Sequence, residues 1–175
     1  VNWIGTKSLT NIGGMKLSIY KMGKDRVRRI VGSVDIPFLP YSIHSIAVSG
    51  DWAIVQVGPV ELGMLKSGLS DSLSDSVRIK LDTDPTMVYI FDLTSSSNSD
   101  TGPISTFKIL PPDNFFSFHK INAVIKDSTT IELDLCVYFS MDGLLGKYVL
   151  GNMNDISTLS VRDNMPHDCD AVRRL

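Results

Sequence analysis

Histidine and cysteine are scarce in this 175-residue chain, with three of the first and two of the second. Cys136 and Cys169 are too few for a disulfide framework. Neither has the close Cys or His partners of a zinc site. Cys136 lies inside an apolar run and reads as a small buried residue. Net charge is small as well, formally -2 at pH 7. That balance predicts no broad basic surface and gives a nucleic-acid role no electrostatic support. Arg26, Arg28 and Arg29 are the only basic cluster, read as a solvated strand face. No apolar run approaches the roughly 20 residues of a membrane-spanning helix. There is no signal peptide and no initiating Met, since the chain opens Val1-Asn2-Trp3 and stops at Arg173-Arg174-Leu175. The expectation is one domain over 1–175 that is truncated at both ends, with any targeting information lost.

Motifs of nucleotide and hydrolase chemistry are missing as well. Gly5-Thr6 and Gly13-Gly14 lack the strand–glycine–helix context of a phosphate cradle. Ser45 follows His44 directly, and no G-x-S-x-G elbow exists anywhere. Acidic residues are scattered, with no pair whose spacing commits them to acid–base work.

What is present is a chain with 43% hydrophobic and 21% charged residues, ordinary values for a globular protein long enough to bury a core. Its patterning is β. Short candidate strands fall at 16–22, 29–34, 43–48, 52–57, 87–93, 105–110, 116–125 and 130–139. Ser49-Gly50-Asp51 is a hairpin signal and Lys126-Asp127-Ser128 a second turn. In the last strand Ile131, Leu133 and Leu135 alternate with Glu132 and Asp134, as one buried face requires. Residues 63–75 read as a loop or short helix and 94–103 as a polar surface loop. Residues 144–153 are ambiguous between helix and strand, and 155–162 fit a short helix. Many short strands with frequent turns define an all-β sandwich, barrel or propeller.

An internal echo favours the propeller. Pro40-Tyr41-Ser42-Ile43-His44 leads into an apolar strand. So does Pro112-Asp113-Asn114-Phe115-Phe116-Ser117-Phe118-His119. Repetition of one supersecondary unit is what propeller blades produce. Equivalent positions on inner strands converge on the propeller axis, so His44 and His119 are candidate ligands of one shared metal. Imidazole suits iron, zinc, copper and nickel alike, and the histidines alone do not choose between them. His167, in a polar segment with Asp168 and Cys169, reads as a solvated loop residue.

At these residues the sequence resembles the carotenoid cleavage oxygenases, which include carotene oxygenases and the isomerohydrolase of the retinal pigment epithelium. The run from Pro40 to Ser45 is similar to the family element Pro-(Ser/Tyr)-Tyr-x-His-Ser. Phe116-Ser117-Phe118-His119-Lys120-Ile121-Asn122-Ala123 resembles Phe-Phe-His-His-Ile-Asn-(Ala/Thr). Asp134-Leu135-Cys136 matches the Asp-Leu-Cys of the following strand. Weaker likenesses lie at Asn2 to Thr6, Arg29 to Ser33 and Arg173-Arg174.

The resemblance implies part of a seven-bladed β-propeller, a few blades with loop and short helical insertions. It further implies Fe(II) held by four histidines, of which His44 and His119 would be the second and third. Oxidative cleavage of a carotenoid or apocarotenoid double bond by O2 follows from it, with peripheral membrane contact and a cytoplasmic or plastid location. The first and fourth ligands and the glutamates that orient the rings would lie outside 1–175, so this chain alone is expected to be inactive. Val57-Gly58 stands where an acidic residue often precedes the proline, and Lys120 replaces the frequent second histidine. Two alternatives accompany this expectation. One is a non-catalytic propeller that binds an apolar ligand or a partner, and the other is retinoid isomerohydrolysis on the same scaffold.

Overall fold

The computed structural model describes residues 2–11, 14–63, 76–94, 101–140 and 171–175, and among them there is no α-helix. Strands β1 (Asn2–Asn11), β2 (Gly14–Met22) and β3 (Arg28–Ile36) form an antiparallel meander. The second sheet has the order β4-β5-β8-β9. Its strands are β4 (Ala47–Ser49), β5 (Trp52–Val57), β8 (Thr86–Asp92) and β9 (Ser105–Ile109). Between β5 and β8 the chain inserts a hairpin of β6 (Val60–Leu62) and β7 (Val77–Ile79). A third sheet joins β10 (Lys120–Ile125), β11 (Ile131–Val137) and β12 (Ala171–Arg174). All pairings between these strands are antiparallel.

The sheets stack face to face because the middle one is apolar on both sides. On β5, Ala53, Val55 and Val57 pack with Met15, Leu17 and Ile19 of β2. Ile54, on the opposite face, packs with Leu133, Leu135 and Val137 of β11. β8 follows the same rule, with Tyr89 and Phe91 toward the first sheet and Val88 toward the third. Side chains alternate across a strand, so a strand buried on both faces is continuously apolar. Each fully buried Val or Ile contributes on the order of 1.5–3 kcal/mol. Gly32 permits the close approach of the first two sheets, since a Cβ there would lie 2.7 Å from the Thr101 carbonyl oxygen and 2.8 Å from Phe91 Cδ1.

Most expected strands are present within a residue or two, and 52–57 agrees at both ends. Ser49 pairs with Trp52 across the Gly50-Asp51 turn, where Gly50 has a φ of 55° that suits glycine. Lys126 N–H closes the second turn on the Thr130 carbonyl at 3.0 Å. Two strand boundaries need correction. The strand expected over 43–48 exists only from Ala47, and that expected over 116–125 starts at Lys120. Ahead of each stands an isolated bridge, Pro40↔Glu61 and Phe116↔Tyr138, in place of a ladder. Cys136 is half-buried where burial was expected, because it points away from the face of Leu135 and Val137. The short strands β6, β7 and β12, and the long β1, were not anticipated. Arg26, Arg28 and Arg29 are exposed, and Arg29 pairs with Asp25 at 2.5 Å. All but Gly63 of the loop or short helix expected at 63–75 lies outside the described residues, as do the helix or strand at 144–153, the short helix at 155–162, His167 and Cys169.

Candidate metal centre

Each histidine follows a fixed lead-in. Before His44, the bridge Pro40↔Glu61 docks the chain onto β6, with Tyr41 N–H donating to the Val60 carbonyl at 2.7 Å and Leu62 N–H to the Leu39 carbonyl at 2.8 Å. Proline has no N–H, and this bridge places the hydrogen bonds on its neighbours. Before His119, Phe116 and Tyr138 exchange both main-chain bonds, at 2.9 and 2.8 Å.

The edge strands that follow, β4 and β10, pack against one another although they belong to different sheets. This packing brings His44 and His119 together, with ring centroids 4.7 Å apart and planes at 78°. Both histidines are exposed.

Phe118 supports the pair as a wedge. Its ring meets His44 edge-on at 5.8 Å and Phe116 at 4.7 Å, with Tyr138 at 6.0 Å and Tyr41 at 6.3 Å. Edge-to-face contacts of this kind fix ring orientation as well as burying area. Phe116 is fully buried and packs with Val60 and Leu81. A Cβ on Gly58 would lie 3.0 Å from Phe116 Cδ2, which accounts for the small residue before Pro59.

The main chain at His119 is held on several sides. Its carbonyl accepts from Cys136 N–H and from the Ser117 hydroxyl, both at 3.1 Å. The Ser45 hydroxyl donates to the Phe118 carbonyl at 2.8 Å and accepts from Lys120 N–H at 3.1 Å. Lys120 turns inward, its Nζ 3.1 Å from Gln56 Oε1 and 3.4 Å from the Ser117 carbonyl. Burial among neutral groups pulls its pKa down to about 8. Gln56 is itself buried, and its Nε2 has no hydrogen-bond partner among the described residues.

Two facing imidazoles are a donor pair of a kind that metals accept. Two imidazoles at right angles about one ion, with metal–nitrogen bonds of about 2.1 Å, have ring centroids about 4.6 Å apart. Among the described residues no group of three His, Cys, Asp or Glu side chains gathers to hold a metal. A separate apolar cleft of about 440 Å³ opens between β8–β9 and β11, lined by Trp52, Ile54, Val88, Ile109, Leu133 and Leu175 among others. None of its lining residues belongs to the histidine cluster.

Sequence reasoning had singled out His44 and His119 but missed the clamp at Ser45, the aromatic wedge and the burial of Lys120. The crowding of Phe115, Phe116 and Phe118 was the one signal for the wedge. Ser45 and Lys120 lie within the two histidine elements, but nothing local in the sequence marks the one as a clamp or the other as turned inward.

Comparison with known proteins agrees with this architecture. No curated protein sequence matches significantly. Among solved structures, the cobalt-substituted apocarotenoid oxygenase of Synechocystis is 21% identical, with a TM-score of 0.59 over 79% of this chain and 26% of that one. A chimera of that oxygenase with RPE65 is 22% identical, with a TM-score of 0.58 and the same coverage. The chain thus spans about a quarter of the length of these relatives. At such identities the likeness establishes the fold, and the stacked sheets are blades of a partial β-propeller. The family model described as retinal pigment epithelial membrane protein runs over residues 5–173, nearly the whole chain, and the protein therefore belongs to that family.

Proposed function

We propose that this chain is part of a non-haem iron(II) oxygenase that cleaves a conjugated double bond of a carotenoid or apocarotenoid with O2, and that His44 and His119 are two of its iron ligands. The observation that carries this reading is the facing pair of exposed imidazoles, 4.7 Å apart, presented by two sheets at the starts of their edge strands. An edge-to-face ring contact needs no metal. Membership of a family whose solved relatives include an apocarotenoid oxygenase, one of them cobalt-substituted, gives the pair its chemical sense.

Iron, when bound, would supply the activation of O2. The residues of this chain hold and orient. Neutral imidazole is a suitable donor for iron. Phe118 fixes the plane of the His44 ring, and the Cys136 N–H and Ser117 hydroxyl fix the backbone from which His119 projects. Phe118 and its aromatic neighbours form an apolar wall beside the rings, suited to a polyene and poor for water. The remaining ligands belong, in this proposal, to parts of the protein outside 1–175, so the chain alone would bind iron weakly and would not turn over. The proposal includes peripheral membrane contact. Among the described residues no helix is long and apolar enough to cross a membrane.

The test is iron content and product analysis of the full-length protein that carries this chain. About one iron per chain is expected, with loss of iron and activity in both His44→Ala and His119→Ala. Full iron occupancy in both variants would refute the ligand assignment. Iron near zero in the unmodified protein would favour a non-catalytic propeller that binds an apolar ligand. Isomerised retinoid in place of cleavage products would assign isomerohydrolase chemistry.

A further inference from the structure

We infer that Ser45 is a positioning residue that sets the separation of the two imidazoles. This inference rests on the metal reading above and concerns how this chain prepares its half of the site.

The problem Ser45 solves is one of topology. His44 precedes β4 in the second sheet and His119 precedes β10 in the third, and these two strands pack without forming a ladder. A ladder would fix the register of two chains through repeated main-chain bonds. Side-chain packing alone leaves some freedom to slide, and the placement of a ligand within about 0.5 Å demands locking by further hydrogen bonds.

Ser45 supplies the lock. Its hydroxyl donates to the Phe118 carbonyl at 2.8 Å and accepts from the Lys120 N–H at 3.1 Å, so it grips the main chain on both sides of His119. Ser45 is also joined covalently to His44. One side chain thus connects the backbone of the first imidazole to the backbone of the second. A hydroxyl is suited to this because it donates and accepts at once. Alanine can do neither, and a thiol does both weakly.

Phe118 and Tyr41 add ring contacts across the two segments, but the other hydrogen bonds of the lead-ins hold each partner separately. Cys136 and Ser117 hold the His119 carbonyl from within its own sheet and lead-in, and Tyr41 holds the His44 lead-in on β6. The bonds of Ser45 cross between the two segments, and their loss should be felt as a change in the metal site more than as unfolding.

Cobalt(II) titration of the full-length protein, read by its visible absorption, tests this. Ser45→Ala should weaken cobalt binding on the order of 10-fold or more and shift the absorption bands, as loss of orienting hydrogen bonds around ligands does. Ser45→Cys should fall in between, and Ser45→Thr, which keeps the hydroxyl, should restore the original spectrum and affinity. Thr101→Val serves as the control, since it breaks a comparable bond, from Thr101 Oγ1 to the Val31 carbonyl at 2.9 Å, between residues outside the histidine cluster. It should lower stability without moving the spectrum. If Ser45→Ala does not fold, the order Thr above Cys in cobalt affinity carries the same information. Unchanged affinity and spectrum in Ser45→Ala or Ser45→Cys, with cobalt binding lost in His44→Ala, would overturn the inference and leave the metal reading intact. Cobalt retained in His44→Ala would instead overturn the metal reading.

Discussion

Asn114 to Ala should be among the most damaging single substitutions of a polar residue in this chain. Asn114 is 4% exposed and lies in the lead-in to His119. Its Oδ1 accepts from Thr86 N–H at 2.9 Å, from Phe115 N–H at 3.0 Å and from the Thr86 hydroxyl. Its Nδ2 donates to the carbonyls of Leu81, at 3.0 Å, and Asp84, at 2.5 Å. One amide therefore ties the 81–84 turn, the start of β8 and the approach to the site. Alanine removes both halves of the amide and strands several buried main-chain groups. The single proton of the Thr86 hydroxyl, shared in the native protein between Asn114 Oδ1 and the Phe115 carbonyl at 2.7 Å, can then go wholly to that carbonyl, so that part of the loss is softened. A net value of about 1 kcal/mol per bond, with an added cost for buried groups left unpaired, gives a loss of about 3–4 kcal/mol. Urea unfolding of the purified protein, with midpoints compared at an unchanged slope, measures it. Asn114→Asp keeps the acceptor but sets a carboxylate oxygen against two carbonyls, and it should fare no better than Ala at neutral pH. A loss below about 1 kcal/mol in Ala, or wild-type stability in Asp, would refute the view of Asn114 as a hub.

Two further outcomes are expected. Gly32→Ala should destabilise by about 2–3 kcal/mol, because the new methyl meets the Thr101 carbonyl oxygen and the Phe91 ring between two packed sheets. An unchanged unfolding midpoint would show that the sheets yield at no cost. Lys120→Met should stabilise the protein by about 1–2 kcal/mol at pH 7, since the half-buried, inward-turned ammonium is held by neutral groups alone and the methionine forgoes their hydrogen bonds. The sign with pH follows from a folded-state pKa of about 8 set against the ordinary lysine value of 10.5. The unfolded chain binds the extra proton between those values, so wild-type stability should rise with pH across that window and the cost be fully present below it. A difference between wild type and Lys120→Met that stays constant from pH 7 to 10.5 would contradict a lysine desolvated in this way.

The sequence by itself determined the strands whose pattern is local. β11 was readable because Leu133, Leu135 and Val137 share one face, and period two is a property of a single strand. β5 was readable as an apolar run, and the hairpin at Gly50 as a turn that needs an unusual φ. The two histidine elements stood out because each carries its own local motif, and the echo between them pointed to repeated blades. Boundaries near the histidines were misjudged. Residues 43–46 and 116–118 look like strand, yet 43–46 join no ladder, and Phe116 and Phe118 bond through an isolated bridge to Tyr138 and through the Ser45 hydroxyl.

Only the tertiary structure decided which face of β5 meets which sheet, because either face is apolar enough for either neighbour. It alone brought His44 within ring contact of His119, through the packing of β4 on β10. It gave Ser45 a role that its place in the Pro40 to Ser45 element did not announce, and it turned Lys120 inward onto Gln56, a contact that no local pattern marks. The physical reason is common to all four. Periodicity and turn chemistry act over a few residues, whereas the approach of two sheets is fixed by side chains distant in sequence that meet only once the blades have stacked.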